Sequence, residues 1–188
     1  ALANANIQPI TLRAKEGLAL VNGTAFMTGI AALNAADARR LAHLSDVTTA
    51  LTVEVLMGIT GPFDEFVHEV AKPHPGQIRS AANVRQLLEN SSLAATYDQV
   101  TRQAGPLDKS YRELGVQIQD KYSLRCAPHF TGVLYDTLDW VDRWLTIEIN
   151  SSNDNPLFDT ASGRVISGGK LCRRTHCPGH GRAENCRR

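Results

Sequence analysis

Residues 38–55 read ARRLAHLSDVTTALTVEV, and this stretch decides the fold class. Its apolar residues recur at steps of three and four positions, as on one face of an α-helix: Leu41, Leu44, Val47, Leu51 and Val55. The whole range 15–59 lacks proline, so we expect a long helix here. Asn34 and Asp37 predict an interruption and a new N-cap within it. A stripe of this kind needs a partner surface, which favours a helical bundle.

Two shorter helices are expected further along the chain, before and after a long loop. The first covers residues 76–88, with an apolar side made of Ile78, Ala81, Val84, Leu87 and Leu88. The second covers residues 132–148, with apolar side chains at helical spacing, namely Leu134, Leu138, Val141 and Leu145. Residues 89–123 show little periodicity, and a loop of that length is commonly functional or mobile. With no strand pattern in the first 150 residues, the sequence predicts an all-α, long-helix bundle.

The bulk composition is that of a globular protein. The chain has 188 residues, of which 43% are hydrophobic and 21% charged, with a formal net charge of +1. No run approaches the ~20 apolar residues that a membrane helix needs, and the N-terminus lacks the pattern of a signal peptide. We therefore expect a cytoplasmic protein with no membrane partner. Because the first residue is Ala1 rather than methionine, we also expect the numbering to begin inside a longer reading frame.

Charge and cysteine are distributed unevenly, with a change near Gly169. Residues 170–188 hold six basic residues and the single acid Glu184, which leaves 14 basic and 18 acidic residues in the range 1–169. An acidic body argues against nucleic-acid binding, which needs a basic surface on a folded unit. Three of the four cysteines also lie in 170–188, and a body with Cys126 alone fits a reducing compartment.

Residues 119–128, QDKYSLRCAP, concentrate groups that carry chemistry. Gln119 supplies an amide, Tyr122 a phenol and Arg125 a guanidinium, whose fork of donors suits a carboxylate. The alternative is a solvated loop whose arginine forms a surface ion pair. A second polar run, NSSNDNP at 150–156, resembles a calcium loop only loosely, because the glycine needed at its sixth position is absent. We therefore expect no calcium site there.

Four segments in one order identify a family: EGLALVNGT at 16–24, KPHPGQ at 72–77, QDKYSLRCAP at 119–128 and EINSSNDNPL at 148–157. Together they closely resemble the aromatic amino acid lyases, the family of histidine, phenylalanine and tyrosine ammonia-lyases and the related aminomutases. Each segment alone is a weak signal, whereas four in order are specific. The resemblance spans residues 16 to about 169, so we expect 1–169 to be the central helical part of such an enzyme.

The resemblance implies the fold and the chemistry of that family. The fold is an all-α homotetramer of the fumarase and aspartase type, whose active sites combine loops from three subunits. The electrophile is a methylidene-imidazolone ring (MIO), formed from an internal Ala-Ser-Gly triad, and no metal takes part. Ammonia leaves L-histidine, L-phenylalanine or L-tyrosine without oxidation, and an α,β-unsaturated acid is released. The choice of amino acid, and the choice between lyase and aminomutase, stay open at this point.

The same resemblance assigns roles by position. Asn22 corresponds to the asparagine beside the MIO ring. Gln119 and Tyr122 correspond to active-site residues of the Gln-Asp-x-Tyr motif, so these three residues are the catalytic candidates. Arg125 corresponds to the arginine that holds the substrate carboxylate, and Asn155 to an asparagine that also contacts the carboxylate end. These roles agree with the chemistry of the side chains, because an arginine and amides can bind the carboxylate end, which is the same in every amino acid.

Three features are expected to be misleading. Ala161-Ser162-Gly163 has the sequence of an MIO triad, but the family's triad lies upstream of the segment matching Asn22, and residues 160–164 read as an exposed turn. We therefore expect no MIO precursor in this chain. The cysteines and histidines after residue 170 lack the paired C-x2-C spacing of a zinc site, so no metal is expected. His74 and His129 are expected to be structural.

Residues 170–188 are expected to be a frameshifted, disordered tail. In the family, Gly168-Gly169 is followed by Asn-Phe and an apolar helix, and suitable codons for residues 170–188, read one base later, can spell that continuation. A segment with few apolar residues and this much positive charge cannot form a core. The sequence thus supports an aromatic amino acid ammonia-lyase, with a catalytically inactive truncated fragment of that enzyme, or a related aminomutase, as the alternatives.

Overall fold

The computed structural model describes residues 2–103, 110–111 and 118–168. Within them the chain forms six α-helices, which are α1 (Glu16–Asn22), α2 (Ala25–Val55), α3 (Pro75–Leu87), α4 (Tyr97–Gln103), α5 (Tyr122–Arg125) and α6 (Ala127–Ile149). The described residues also contain 3-10 turns at Ala3–Ala5 and Gly61–Phe63 and a π-helical turn at Phe66–Ala71. The largely helical content confirms the all-α class.

A two-stranded hairpin follows α6. Strand β1 (Leu157–Asp159) pairs antiparallel with β2 (Arg164–Ile166). Residues 160–163 form the connecting turn and are exposed, and Gly163 takes a φ of +68°, which glycine adopts without strain. The exposed turn predicted in this region is confirmed.

The described chain divides into two compact units. The first contains residues 1–33 and the residues from 142 onward, and the second contains residues 34–141. Helices α2 and α6 contribute residues to both units. The predictions for residues 170–188, which include the frameshift and the absence of zinc, lie outside the described residues.

The interruption predicted at Asn34 and Asp37 is wrong. Helix α2 passes through both positions without a break, and the helix break lies at Gly23 and Thr24 instead. Gly23 is extended (φ −68°, ψ 160°) and ends α1, while the Thr24 hydroxyl donates to a carboxylate of α6 at 2.8 Å. Asp37 pairs with Arg40 on an exposed part of the same helix at 2.8 Å. A polar residue that solvent and the next turn satisfy does not have to end a helix.

The loop predicted over residues 89–123 is wrong in its middle, which forms α4. This helix begins with a reciprocal pair of capping bonds. The Thr96 N–H donates to Gln99 Oε1 at 2.7 Å, and the Gln99 N–H donates to Thr96 Oγ1 at 3.3 Å. Such a capping box satisfies two N–H groups that the first turn leaves free. The Thr-x-x-Gln spacing in the sequence was therefore a usable signal for this helix.

The second unit contains a small apolar core and, between two of its helices, a very close backbone contact. The buried members of this core are Ala50, Val53, Phe63, Val84, Leu88 and Leu124. Helices α3 and α6 approach so closely that glycine is required on both. A Cβ atom on Gly132 would lie 2.5 Å from the Gln77 backbone nitrogen, and one on Gly76 would lie 2.1 Å from the Gly132 carbonyl oxygen.

Much apolar surface is exposed in the described part of the chain. The predicted stripe on α2 includes side chains that are between 55% and 77% exposed, namely Leu41, Leu44, Leu51 and Val55. Patches of this kind mark interaction surfaces. By length and composition alone, the stretch Glu16–Val55 is also long and apolar enough to cross a membrane. The core helix of a soluble protein passes the same test, so this finding alone says little about a membrane.

Candidate active site

The QDKYSLR segment is held in place by the core of the second unit. Leu124 is 7% exposed and belongs to the apolar cluster, so α5 is anchored by its one buried side chain. Helix α6 begins directly afterwards at Ala127, with Pro128 in its first turn, where the missing N–H of proline costs no helical hydrogen bond. Arg125 and the first turn of α6 are therefore positioned together.

Asp120 ties the start of this segment to the end of α2. Its Oδ2 atom accepts a hydrogen bond from the Ile59 N–H at 2.8 Å. The carboxylate lies so close to the chain that a Cβ atom on Gly58 would be 3.0 Å from Oδ2. The glycine therefore leaves room for a contact that fixes the segment before α5.

A cleft of about 460 Å³ lies beside α5 and the first turn of α6. Apolar side chains such as Ile59, Pro62 and Val67 form part of its wall. Its polar and thiol lining residues are Tyr97, Gln119, Asp120, Arg125, Cys126 and His129. The structure thus brings two of the predicted site residues, Gln119 and Arg125, into one cleft. Its volume is within the range of small-molecule sites.

Arg125 is arranged to bind an anion. Its Nε atom is buried without a hydrogen-bond partner, and no carboxylate in the described part of the chain forms an ion pair with its guanidinium. Its guanidinium carbon lies 4.1 Å from the centroid of the Tyr122 ring, which is a cation–π contact. Tyr122 is 72% exposed and does not itself line the cleft. Because a buried unpaired donor is costly, a ligand that accepts from Nε would be favoured.

His68 is a fully buried neighbour of this region that the sequence did not single out. Its Nε2 atom lies 2.8 Å from the Pro62 carbonyl oxygen, so Nε2 carries the proton. Its Nδ1 atom accepts a hydrogen bond from the Gln77 side-chain amide at 2.9 Å. Burial lowers the pKa of His68. The imidazole is therefore neutral, with one fixed tautomer and both nitrogens in use.

His129 lines the cleft, although the sequence assigned it a structural role. Its ring centroid lies 5.4 Å from that of His68, and its Nδ1 atom is buried without a hydrogen-bond partner. Burial lowers the pKa of His129, and the neighbouring His68, Lys72 and His74 lower it further. The signal available in the sequence is its position four residues, or about one helical turn, after Arg125.

The two remaining site candidates belong to the first unit. Asn22 is exposed at the last position of α1. Asn155 is half-buried, and its Oδ1 atom accepts a hydrogen bond from the Gly168 N–H at 3.1 Å. A cleft of about 520 Å³ in this unit is lined by neither asparagine. The structure therefore does not join them in that cleft, and their roles stay predictions.

Lys15 holds the loop that leads to Asn155. Its Nζ atom lies 2.6 Å from Asp154 Oδ2 and donates to the Pro156 carbonyl at 2.8 Å. The hydrogen bond from Lys15 lowers the pKa of the Asp154 carboxyl. A lysine far away in the sequence thus fixes a loop that sequence patterns describe only as polar turn formers.

The tripeptide Ala161-Ser162-Gly163, which the sequence predicts not to be an MIO precursor, lies in the β1–β2 hairpin. It forms the exposed hairpin turn, and the N–H groups of Ala161 and Ser162 donate to Asp159 Oδ1 at 3.1 and 3.4 Å. The Ser162 hydroxyl also bonds to Asp159 and lowers the pKa of that carboxyl. The turn is open to solvent, and whether any residue of this chain forms the MIO ring stays a prediction.

Comparisons with known proteins match the chain over most of its length. The sequence profile of the aromatic amino acid lyases matches residues 1–173. A histidine ammonia-lyase of Caldanaerobacter subterraneus subsp. tengcongensis is 42% identical over 171 residues, which is 91% of this chain and 30% of that protein. A MIO-dependent tyrosine 2,3-aminomutase of Streptomyces globisporus is 41% identical over 160 residues, which is 84% of this chain and 30% of that protein.

A solved structure agrees in fold as well as in sequence. The phenylalanine aminomutase of Pantoea agglomerans matches with a TM-score of 0.77 and 40% identity, over 91% of this chain and 33% of that one. The chain thus spans about a third of the length of the relatives it matches. A profile match over nearly the whole chain, together with this structural likeness, shows that the chain belongs to the aromatic amino acid lyase family.

Proposed function

We propose that the protein containing this chain is an aromatic amino acid ammonia-lyase, and that this chain supplies the carboxylate-binding part of its active site. The observation that carries the proposal is Arg125, whose buried Nε is unpaired in a cleft that Gln119 also lines. Family membership supports the reaction class. The relatives named above are an ammonia-lyase and aminomutases that act on histidine, tyrosine and phenylalanine, and the amino acid used by this protein stays open among these.

The proposed role of this cleft follows from what an elimination of ammonia changes in the substrate. The bond from Cα to nitrogen and a bond from Cβ to hydrogen break, whereas the carboxylate is unchanged. Arg125 can hold that carboxylate by parallel N–H···O bonds while the reacting atoms stay free. The Tyr122 ring packs against the guanidinium, and the Gln119 amide can donate to or accept from the same ligand.

The proposal includes features whose support is the match to the family. Asn22 lies beside the MIO ring and Asn155 at the carboxylate end of the substrate in this proposal, in a cytoplasmic homotetramer. A relative is named MIO-dependent, so we propose the same group for the intact protein. Its precursor triad would lie outside residues 2–168, since Ala161-Ser162-Gly163 does not fit. No step is therefore assigned to that ring in this chain.

Binding of trans-cinnamate to the 188-residue chain, measured by calorimetry, tests the carboxylate site. Cinnamamide is the matched neutral ligand, because it keeps the shape and lacks the charge. We expect Arg125→Gln to weaken cinnamate binding at least tenfold, since a charged hydrogen bond contributes about 1.5–3 kcal/mol. Arg102→Gln, at an exposed arginine of α4, is the control and should change nothing. Equal binding of cinnamate and cinnamamide would contradict the proposal.

The inactive fragment remains the second candidate for the chain by itself. The observation that favours it is the exposed, hydrogen-bonded tripeptide, which leaves the described residues without a suitable MIO precursor. We expect the isolated chain to release no cinnamate, coumarate or urocanate from the corresponding amino acids, as followed by ultraviolet absorbance. Clear turnover by the purified chain would reject this candidate.

A further inference from the structure

The cleft at Arg125 contains a second unpaired group, which belongs to His129. Among the residues that the structure describes, two buried side-chain nitrogens lack hydrogen-bond partners, namely Arg125 Nε and His129 Nδ1. Both residues line the same cleft. Because buried polar atoms in folded proteins nearly always have partners, two unpaired atoms in one cleft indicate a ligand that satisfies both.

The protein itself offers no hydrogen-bond partner for the His129 Nδ1 atom within the described residues. His68, which packs against it at 5.4 Å, already donates from Nε2 to Pro62 and accepts at Nδ1 from Gln77. The His129 backbone N–H donates to the Cys126 carbonyl at 2.9 Å, which holds the residue in the first turn of α6. The Nδ1 atom is therefore held in place and left without a hydrogen bond.

The charges around His129 favour an anion. Lys72 contributes positive charge near the ring, and Arg125 contributes it in the cleft. Asp120 is the one carboxylate among the described lining residues, and its Oδ2 atom already accepts from a backbone N–H. A ligand anion would therefore meet more positive than negative charge here.

We propose that His129 Nδ1 and Arg125 Nε together hold one ligand carboxylate, so that His129 is a second anchor of the carboxylate site. The proposal rests on the proposed function and adds to it a residue whose charge changes with pH. The carboxylate oxygens have about four lone-pair sites, so they can accept from the Arg125 guanidinium and, at a further site, from His129 Nδ1 when that atom carries a proton.

Ligand binding is then linked to proton uptake. The bound anion stabilises the charged imidazole and raises the pKa of His129 from its lowered value in the free protein. By linkage, the carboxylate binds more tightly as pH falls through the pKa of the bound state, and the gain ends below the pKa of the free state. Arg125 keeps its charge throughout, so it contributes no pH dependence in this range.

The test uses trans-cinnamate, cinnamamide and the 188-residue chain with isotopically labelled histidines and arginines. Imidazole resonances in NMR spectra, assigned through the backbone of the unaltered chain, report His129 directly. We expect cinnamate to move the His129 resonance, and to bind about tenfold more tightly at about pH 5.5 than at about pH 8. Cinnamamide should leave the His129 resonance unchanged and should bind equally at both pH values, because it brings no negative charge to the imidazole.

Two variants separate His129 from the other histidines. His129→Gln keeps a polar side chain that does not titrate, so we expect it to lose the pH dependence of cinnamate binding. His43→Gln, at an exposed histidine of α2, should keep that dependence. If a substitution unfolds the protein, the shift of the His129 resonance in the unaltered chain on adding cinnamate still tests the proposal.

The possible outcomes distinguish this proposal from the proposed function. If cinnamate moves the Arg125 Nε–H resonance but not the His129 resonance, and its affinity does not vary with pH, the role of His129 is overturned and the carboxylate site at Arg125 stands. If cinnamate moves neither resonance, both the role of His129 and the carboxylate site at Arg125 are overturned.

Discussion

Two polar clusters of the second unit both involve α6, but only one of them has complete hydrogen bonds. Asp46 on α2 is 1% exposed, and its carboxylate accepts hydrogen bonds at 2.5 to 2.9 Å from Ser80, Asn83 and Tyr135. The other cluster lines the cleft beside α5, and there Arg125 Nε and His129 Nδ1 are buried without hydrogen-bond partners. The same unit thus contains one satisfied and one unsatisfied set of buried polar groups.

This difference in hydrogen bonding distinguishes the cluster that stabilises the fold from the one that is available to a ligand. A satisfied buried network contributes to stability, and removing one member leaves the others unpaired. Burial and the hydrogen bond to Asp46 raise the pKa of Tyr135 to about 12, so its hydroxyl keeps its proton and stays a donor. Unpaired groups cost free energy in the empty protein, and a ligand that pairs with them recovers it.

The largest expected effect is that of Asp46→Ala. It leaves the buried hydroxyls of Ser80 and Tyr135 and the half-buried amide of Asn83 without this acceptor, so we expect a loss of roughly 3 kcal/mol or more in the free energy of unfolding. Urea unfolding followed by circular dichroism measures it. Asp37→Ala on the same helix is the control, because its ion pair with Arg40 is exposed, and we expect a change of no more than about 0.5 kcal/mol. If the two variants lost equal free energy of unfolding, the buried network at Asp46 would stabilise the fold no more than an exposed ion pair does.

Gly132→Ala should damage the satisfied cluster indirectly. The added Cβ would lie 2.5 Å from the Gln77 backbone nitrogen, so α3 and α6 must separate, and α3 carries two of the donors to Asp46. We expect a loss of about 2 kcal/mol, the scale of overpacking in a core. Gly29→Ala is the matched control, since nothing lies within 4 Å of its added Cβ, and alanine there should stabilise α2 by up to about 1 kcal/mol. A stable Gly132→Ala protein would show that the helices can move apart without cost.

Tyr135→Phe should have a smaller effect, of about 1 kcal/mol, because Asp46 keeps two donors. Because the folded pKa of Tyr135 is raised to about 12, its contribution is complete below the unfolded pKa of about 10 and is lost as pH rises toward 12. Unfolding measured across this pH range should show a steeper loss in the unaltered chain than in Tyr135→Phe. Tyr97→Phe, at a tyrosine that is 53% exposed, should leave the slope unchanged.

The smallest expected effect on stability is that of Arg125→Gln. Its side chain makes no described hydrogen bond, so its loss removes only the contact with Tyr122, and we expect a change within about 0.5 kcal/mol. The same variant should lose cinnamate binding, which separates ligand binding from folding. A large decrease in the urea midpoint would show that Arg125 also stabilises the fold, which would contradict the distinction between the two clusters.

Periodicity in the sequence predicts the strongest helices but not their limits. The spacing of Val84 and Leu138 with their apolar neighbours marks α3 and α6 correctly, because one buried face imposes one period. The predicted break at Asn34 fails because an exposed helix surface tolerates polar residues. The real break lies at Gly23 and Thr24, residue types that favour a helix end and an N-cap, and the prediction of a break at Asn34 did not use that signal.

Part of the candidate site could be read from motifs, and part could not. The QDKYSLR segment points to Gln119 and Arg125, and the structure places both in one cleft. Tyr122 contacts Arg125 instead of lining that cleft, because α5 exposes its ring. His129 carries no motif, since its chemistry depends on burial and on His68 and Lys72, which lie on other segments.

The sequence by itself determined the helical class, the family and the identity of the arginine suited to a carboxylate, because these depend on side-chain type and on spacing along the chain. Tertiary structure decided which polar groups are satisfied. Asp46 has its three donors, and His129 Nδ1 has no partner among the described residues, because burial and partners come from segments far apart in sequence. A buried donor or acceptor gains its free energy only from the atom that faces it, and folding alone determines which atom that is.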